Sequence, residues 1–237
     1  MSETLRSSFR YAFQRSLPIL IGFFPLGIAF GILMRKIGYH FLWAALTSLT
    51  VYAGSLQFLM ISFFEEGTAL FTVIIMALLL NSRHIFYGIS FIEKFRAYGK
   101  WKYFLIYGMS DESYTLLCSY KEQEDLDEKW VHIFSTALLI FYWSGFSALG
   151  AFVGTWIPFD TTGIDFALTA LFTVIFIEQL KDSKTSLPGI IAIASSILCI
   201  FLFGPGNFLL PSLSLTVIIL VLLRLPLEPI ITPKEES

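Results

Sequence analysis

Apolar residues arrive in this chain in blocks of roughly 18 to 25, the length an α-helix needs to cross a ~30 Å hydrocarbon layer. Eight such segments can be marked, at about 17–34, 41–64, 68–92, 103–120, 133–157, 164–180, 187–203 and 207–225. A soluble domain of 237 residues would need far more surface charge than this chain has, since 56% of its residues are apolar and 14% are charged. The blocks predict an all-α polytopic membrane protein with six to eight transmembrane segments, in one membrane domain over residues 1–237. The start, MSETLRSSFRYAFQRS, lacks the apolar core and small-residue cleavage site of a signal peptide, so the N-terminus is expected to stay on the mature protein.

Several function classes are excluded or unsupported. Nothing suggests nucleic-acid binding. Cys118 and Cys199 lie alone in apolar stretches, which suggests neither a disulfide framework nor a metal site, and no cofactor is expected. There is no P-loop for ATP-driven transport, no HExxH and no Gly-x-Ser-x-Gly, so an enzyme is not expected.

The longest polar connection, KEQEDLDEK from Lys121 to Lys129, falls near the middle of the chain and prompts a search for an internal repeat. Leu26-Gly27 and Gly31 match Leu149-Gly150 and Gly154, Ala45-Leu46-Thr47 matches Ala167-Leu168-Thr169, and Gln57 matches Gln179, all at an offset of 122 or 123. The halves would be about 9–120 and 133–226. With eight spans and the N-terminus inside, nine Lys/Arg fall inside and six outside, a poor positive-inside bias. Suppose instead that the first segment of each half is broken or re-entrant, hinged near Pro25-Leu26-Gly27 and near Ser147-Ala148-Leu149-Gly150. Thirteen then fall inside and only Lys121 and Lys129 outside, and the halves form an inverted repeat. An ordinary bundle of seven or eight helices remains open, because Pro and Gly are common in unbroken transmembrane helices.

Ionisable groups inside a bilayer cost on the order of 3 kcal/mol each on insertion scales, so each needs a partner or a purpose. NSRHIFYG closes the third segment and gathers Asn81, Arg83, His84 and Tyr87 within two helical turns. SDESY places Asp111 and Glu112 in the middle of the fourth. Pairing of these acids with Arg83 or His84 is expected, either as a buried ion pair that fixes packing or as a proton or substrate relay. YAGSLQF, with Gly54, Ser55, Gln57 and Phe58, interrupts the second segment. It is either a close helix contact or an unwound turn that offers backbone groups to a ligand, and Glu178-Gln179 holds the repeat-related place.

The strings GFFPLGIAFG (22–31), YAGSLQF (52–58), NSRHIFYG (81–88) and SDESY (110–114), in this order and spacing, resemble the AzlC family, the large subunits of branched-chain amino acid exporters. The likeness runs from about Phe9 to about Arg224. Asn81, Arg83, His84 and Tyr87 meet its most specific string, while Ser110 stands where the family often has Thr. The resemblance implies export of leucine, isoleucine, valine and methionine or toxic analogues across the cytoplasmic membrane. It also implies secondary transport driven by the proton-motive force, and a small hydrophobic membrane partner of the AzlD type.

Such a substrate carries two charges and an apolar tail. A helix break at Gly27 or Gly54 offers an anion-binding end, Asp111 or Glu112 meets the ammonium, and Phe58 lines a tail pocket, with Ser55, Gln57 and Asn81 as further candidate ligands. Arg83, His84, Asp111 and Glu112 are the candidates for proton coupling or gating. A channel-like or structural membrane subunit is the alternative.

Overall fold

The computed structural model describes residues 3–120, 126–156, 173, 176–177, 180–181, 186–204 and 208–223. The described elements are helical: α1 (Glu3–Lys36), α2 (Phe41–Thr50), α3 (Gly54–Glu66), α4 (Leu70–Arg96), α5 (Trp101–Tyr107), α6 (Asp111–Cys118), α7 (Glu128–Val153), α8 (Leu187–Phe203) and α9 (Leu209–Leu222). Helices α1 and α7 are each long and apolar enough to cross a membrane, and α4 adds a third if its two bent parts count as one span. The chain divides into two compact units, one of Met1–Gly67 with Asn81–Phe159, the other of Thr68–Leu80 with Asp160–Ser237.

The first unit is built on α1 and α7, which run side by side in the same direction. The contacts step along both helices together. Asp127 N donates to Ser8 Oγ at 3.2 Å, Phe9 meets Phe134 edge-on at 5.4 Å, Ser16 Oγ bonds Tyr142 Oη at 3.1 Å, and Phe24 meets Phe146 at 5.3 Å. Beyond these the backbones nearly touch. A Cβ on Gly31 would stand 2.1 Å from the Ser147 carbonyl oxygen, and one on Gly150 would stand 2.2 Å from that of Ile28. Absent side chains are what permit this approach.

That packing corrects the expected hinges. Helix α1 continues through Pro18 and Pro25, and α7 continues through Ser147 and Gly150. A proline deprives the helix of one hydrogen bond but does not force a break where a partner helix supports the backbone on both sides. Because the offset of 122 or 123 aligns α1 with α7, it relates two helices of the same direction. An inverted repeat would require opposite directions, so the two halves are not inverted over this pair.

The breaks fall in the second and fourth segments instead. Val51-Tyr52-Ala53 separates α2 from α3, with Tyr52 at φ +41°, a left-handed conformation that β-carbon sterics disfavour. The chain then turns back: Gln57 Nε2 donates to Ser48 Oγ at 3.0 Å, and Phe64 reaches Tyr39, just before α2, at 5.1 Å between rings. Gly108-Met109-Ser110 separates α5 from α6, and this pair also returns. Trp101 at its start meets Trp130 at 5.7 Å, and Tyr120 at its end bonds Ser135, while a Cβ on Gly108 would meet Thr136 and Ile140.

Helix α7 serves as a ruler for both hairpins. The α5–α6 hairpin reaches from Trp130 to Ile140. The α2–α3 hairpin descends from the other end, from Phe41 against Phe152 at 6.1 Å to Gly54, whose added Cβ would lie 3.5 Å from the Trp143 ring. Each therefore penetrates about 15 Å at 1.5 Å per residue. Their tips meet, with the Tyr52 and Tyr107 rings 6.1 Å apart. Two hairpins of this depth, entering from opposite ends, together match a ~30 Å hydrocarbon layer.

Lys129 begins α7 beside the N-terminus of α1 and so shares an end with Arg6 and Arg10. The charge count had separated them because it assumed a different pair of returning segments. Lys94 joins this end through an ion pair with Glu128 of 2.5 Å, whereas Arg35 lies at the opposite end beside Gly154.

In the second unit α8 and α9 pack against each other. Phe201 is 85% exposed and Leu222 75%, as expected of helices solvated by lipid. Most of the 164–180 segment, Lys121–Asp125, Ala167-Leu168-Thr169 and Glu178-Gln179 lie outside the described residues.

Candidate functional site

The two hairpin tips converge on α4. Helix α6 starts at Asp111 because Ser110 caps it: Ser110 Oγ accepts from Ser113 N at 3.3 Å and Ser113 Oγ accepts from Ser110 N at 2.6 Å. This cap delivers two carboxylates to the first turn, where the helix dipole favours negative charge. Arg83 Nη1 lies 2.9 Å from Asp111 Oδ2, Tyr87 Oη donates to Asp111 Oδ1 at 2.6 Å, and Glu112 accepts from Ser110 Oγ at 2.9 Å. Arg83 also reaches the other hairpin, with Nη2 3.5 Å from Ser55 Oγ in the first turn of α3.

Two donors at the junction remain unused. The Tyr52 hydroxyl is buried, faces Ser110 and Glu112, and makes no hydrogen bond of normal geometry. Arg83 Nε is likewise buried without a partner. The first backbone N–H groups of α3, at Gly54 and Ser55, have no acceptor one turn earlier within their own helix, and no side chain caps the helix at Ala53.

The structure thus brings together Gly54, Ser55, Arg83, Tyr87, Asp111 and Glu112. His84 is one residue away along α4, partly buried, its ring 5.9 Å from that of Tyr87. Asn81 precedes them on the same helix and is partly buried. Three other candidates belong to the scaffold. Gly27 marks no break, since a Cβ there would lie 2.7 Å from Phe146 Cβ in the α1–α7 contact. The Gln57 amide is fully buried and engaged at both ends, donating to Ser48 and accepting from Trp143 Nε1 at 2.7 Å. Phe58, 1% exposed, packs between Phe30 and Trp143.

A second polar cluster escaped the sequence reading. His132, 0% exposed, is caged by Phe91, Phe95, Tyr98 and Tyr120. Its Nε2 faces Glu128 Oε1 at 3.7 Å, and its Nδ1 lies 3.5 Å from Tyr98 Oη. Tyr98, in the turn between α4 and α5, is pushed above the ordinary tyrosine range by burial and by the Glu128 carboxylate. The available signal was the Glu128/His132 spacing of one helical turn, but reading 121–129 as a connection and starting the next span at 133 left His132 between the two.

These features define a helical membrane protein in which two opposed helical hairpins meet beside an ion pair. The chain belongs to the AzlC protein family, which it matches over residues 18–157. It is 36% identical over 94% of its length to the branched-chain amino acid transport protein AzlC of Bacillus subtilis (strain 168), covering 87% of that protein. It is 37% identical over 96% of its length to an uncharacterized membrane protein of Helicobacter pylori (strain 26695), covering all of it. It is 24% identical over 76% of its length to the inner membrane protein YgaZ of Escherichia coli (strain K12), covering 76% of that protein. No solved structure matches it.

Proposed function

We propose that this chain is the large subunit of a secondary transporter that exports branched-chain amino acids, with the substrate held where the hairpin tips meet. The observation that carries this reading is the 2.9 Å pair of Arg83 with Asp111. A free amino acid is a zwitterion, and it can replace such a pair without stranding a charge: its carboxylate takes Arg83 and its ammonium takes Asp111. In a low-dielectric site an uncompensated charge is the chief barrier to loading and release, and exchanging one ion pair for two avoids it. The unused Arg83 Nε, the Tyr52 hydroxyl and the N–H groups of Gly54 and Ser55 supply further donors to the carboxylate. Glu112 is a second acceptor for the ammonium.

The tail of the substrate would lie among apolar side chains, where one methylene is worth only ~1 to 3 kcal/mol. Leucine, isoleucine, valine and methionine are therefore expected to share the site. One proton moving through 100 mV supplies ~2.3 kcal/mol, enough to drive useful accumulation outside. The positive-inside rule favours a cytoplasmic orientation for the end that carries Arg6, Arg10, Lys94 and Lys129, and with it a cytoplasmic N-terminus. The resemblance to AzlC-type exporters supports a small AzlD-type subunit as partner.

Efflux of preloaded labelled leucine, isoleucine and methionine from cells expressing the chain, with and without such a subunit, tests the reading. Faster efflux with the pair present is expected. Unchanged efflux with both proteins verified in the membrane would reject it in favour of a non-transporting subunit.

A further inference from the structure

We infer that His132, with Glu128, forms a proton-binding site separate from the Arg83–Asp111 junction, and that proton uptake there couples to transport; the coupling rests on the transport reading above.

His132 is fully buried, yet its Nε2 makes no hydrogen bond. A buried imidazole nitrogen without a partner is costly unless it is used in another state. In the neutral ring one nitrogen is bare, and an incoming proton adds there. The resulting imidazolium has two N–H groups, one facing Glu128 Oε1 at 3.7 Å and one facing Tyr98 Oη at 3.5 Å. Tyr98 can pass its own hydrogen bond to Glu128 Oε2, 3.4 Å away.

Charges around the ring are arranged to make uptake conditional. From its own helix His132 faces Glu128; from α4 it faces Lys94, which holds Glu128 Oε1 at 2.5 Å. The turn after α4 contributes Tyr98, and Tyr120 stacks on the ring at 5.9 Å and 20°. Behind Tyr120 stand Tyr11 and Arg15 of α1. Glu128 therefore has to serve either Lys94 or the protonated ring. Lys94 and Glu128 side chains are 42% and 36% exposed, so the buried ring exchanges protons with water through them.

Packed rings join this site to the junction. Phe91 meets His132 at 6.2 Å and Tyr114 at 5.8 Å. Tyr114 stacks on Tyr87 at 4.5 Å, and Tyr87 donates to Asp111. A shift of the His132 ring toward Glu128 thus bears on the residue that orients Asp111.

The first test needs no substrate. The full-length protein labelled with 15N-histidine has three imidazoles, His40, His84 and His132, assigned through H40Q, H84Q and H132Q, so any one poorly folding variant is covered by the other two. The His132 ring is expected to take up a proton as the pH is lowered from 8 to 4, and to stop doing so in E128Q. A ring signal fixed across that range overturns the site. In proteoliposomes with the partner subunit, H132Q is expected to flatten the pH dependence of leucine efflux, about tenfold across two pH units in the parent protein, with little change in the leucine concentration for half-maximal rate. An unchanged pH profile overturns the coupling. Absence of leucine efflux by the parent protein rejects the transport reading, and the ring titration still decides the proton site.

Discussion

Arg83 and Asp111 are paired at 2.9 Å, and through this pair helix α4 holds the first residue of α6. The same arginine reaches Ser55 at the start of α3, so one side chain spans the tips of two hairpins that enter from opposite ends. Removing either charge leaves the other without its partner. Because both side chains are about a third exposed, the cost is on the order of 1 to 3 kcal/mol. Asp111→Asn and Arg83→Gln are expected to insert and fold but to lose leucine efflux by roughly 10- to 100-fold. The exchange Arg83→Asp with Asp111→Arg is expected not to restore it, because a cation in the first turn of α6 opposes the helix dipole.

Opposed hairpins reverse the topology that eight simple spans would give. An impermeant thiol reagent is expected to reach Glu66→Cys from outside intact cells and Lys100→Cys only from the cytoplasmic side, in a background without Cys118 and Cys199. The opposite pattern would mean that α2–α3 and α5–α6 each cross the membrane.

The α1–α7 contact leaves no room at Gly31, where an added Cβ would lie 2.1 Å from a backbone oxygen, whereas at Gly22 it would meet nothing within 4 Å. Gly31→Ala is expected to cost about 1 to 3 kcal/mol of stability, read as a lower thermal midpoint in detergent. Gly22→Ala is expected to be neutral or slightly stabilising.

Length and apolarity of the segments were enough to read a helical membrane protein, and the polar strings were enough to locate Arg83 and Asp111. Which segments turn back was not legible from length. Segments 41–64 and 103–120 are as long as true spans, and a break at Tyr52 rests on tertiary support for a left-handed residue that no local propensity favours. The fourth segment did carry a usable sign, since Ser110-Asp111-Glu112-Ser113 is a helix start written in the middle of an apolar run. Pro25 and Gly27 pointed the wrong way because their effect depends on the helix packed against them. Helix α1 continues past them into the close contact through Gly31 and Gly150, and that contact is long-range.

Tyr52 combines an unfavourable backbone with an unused hydroxyl. Tyr52→Gly is expected to relieve about 1 kcal/mol of backbone strain, offset by the loss of the buried ring. Tyr52→Phe isolates the hydroxyl: the thermal midpoint should hold while the leucine concentration for half-maximal efflux rises several-fold. An unchanged half-maximal concentration would remove Tyr52 from the carboxylate site.

The account centres on a zwitterion replacing the Arg83–Asp111 pair, and binding of leucine and its two single-charge analogues to the purified protein with its small subunit tests it most directly. Calorimetry is expected to show binding of leucine, and no binding of 4-methyl-2-oxopentanoate, which lacks the ammonium, or of isoamylamine, which lacks the carboxylate. Equal binding of leucine and either analogue, or leucine binding undiminished in Asp111→Asn, would contradict the exchange of one ion pair for two.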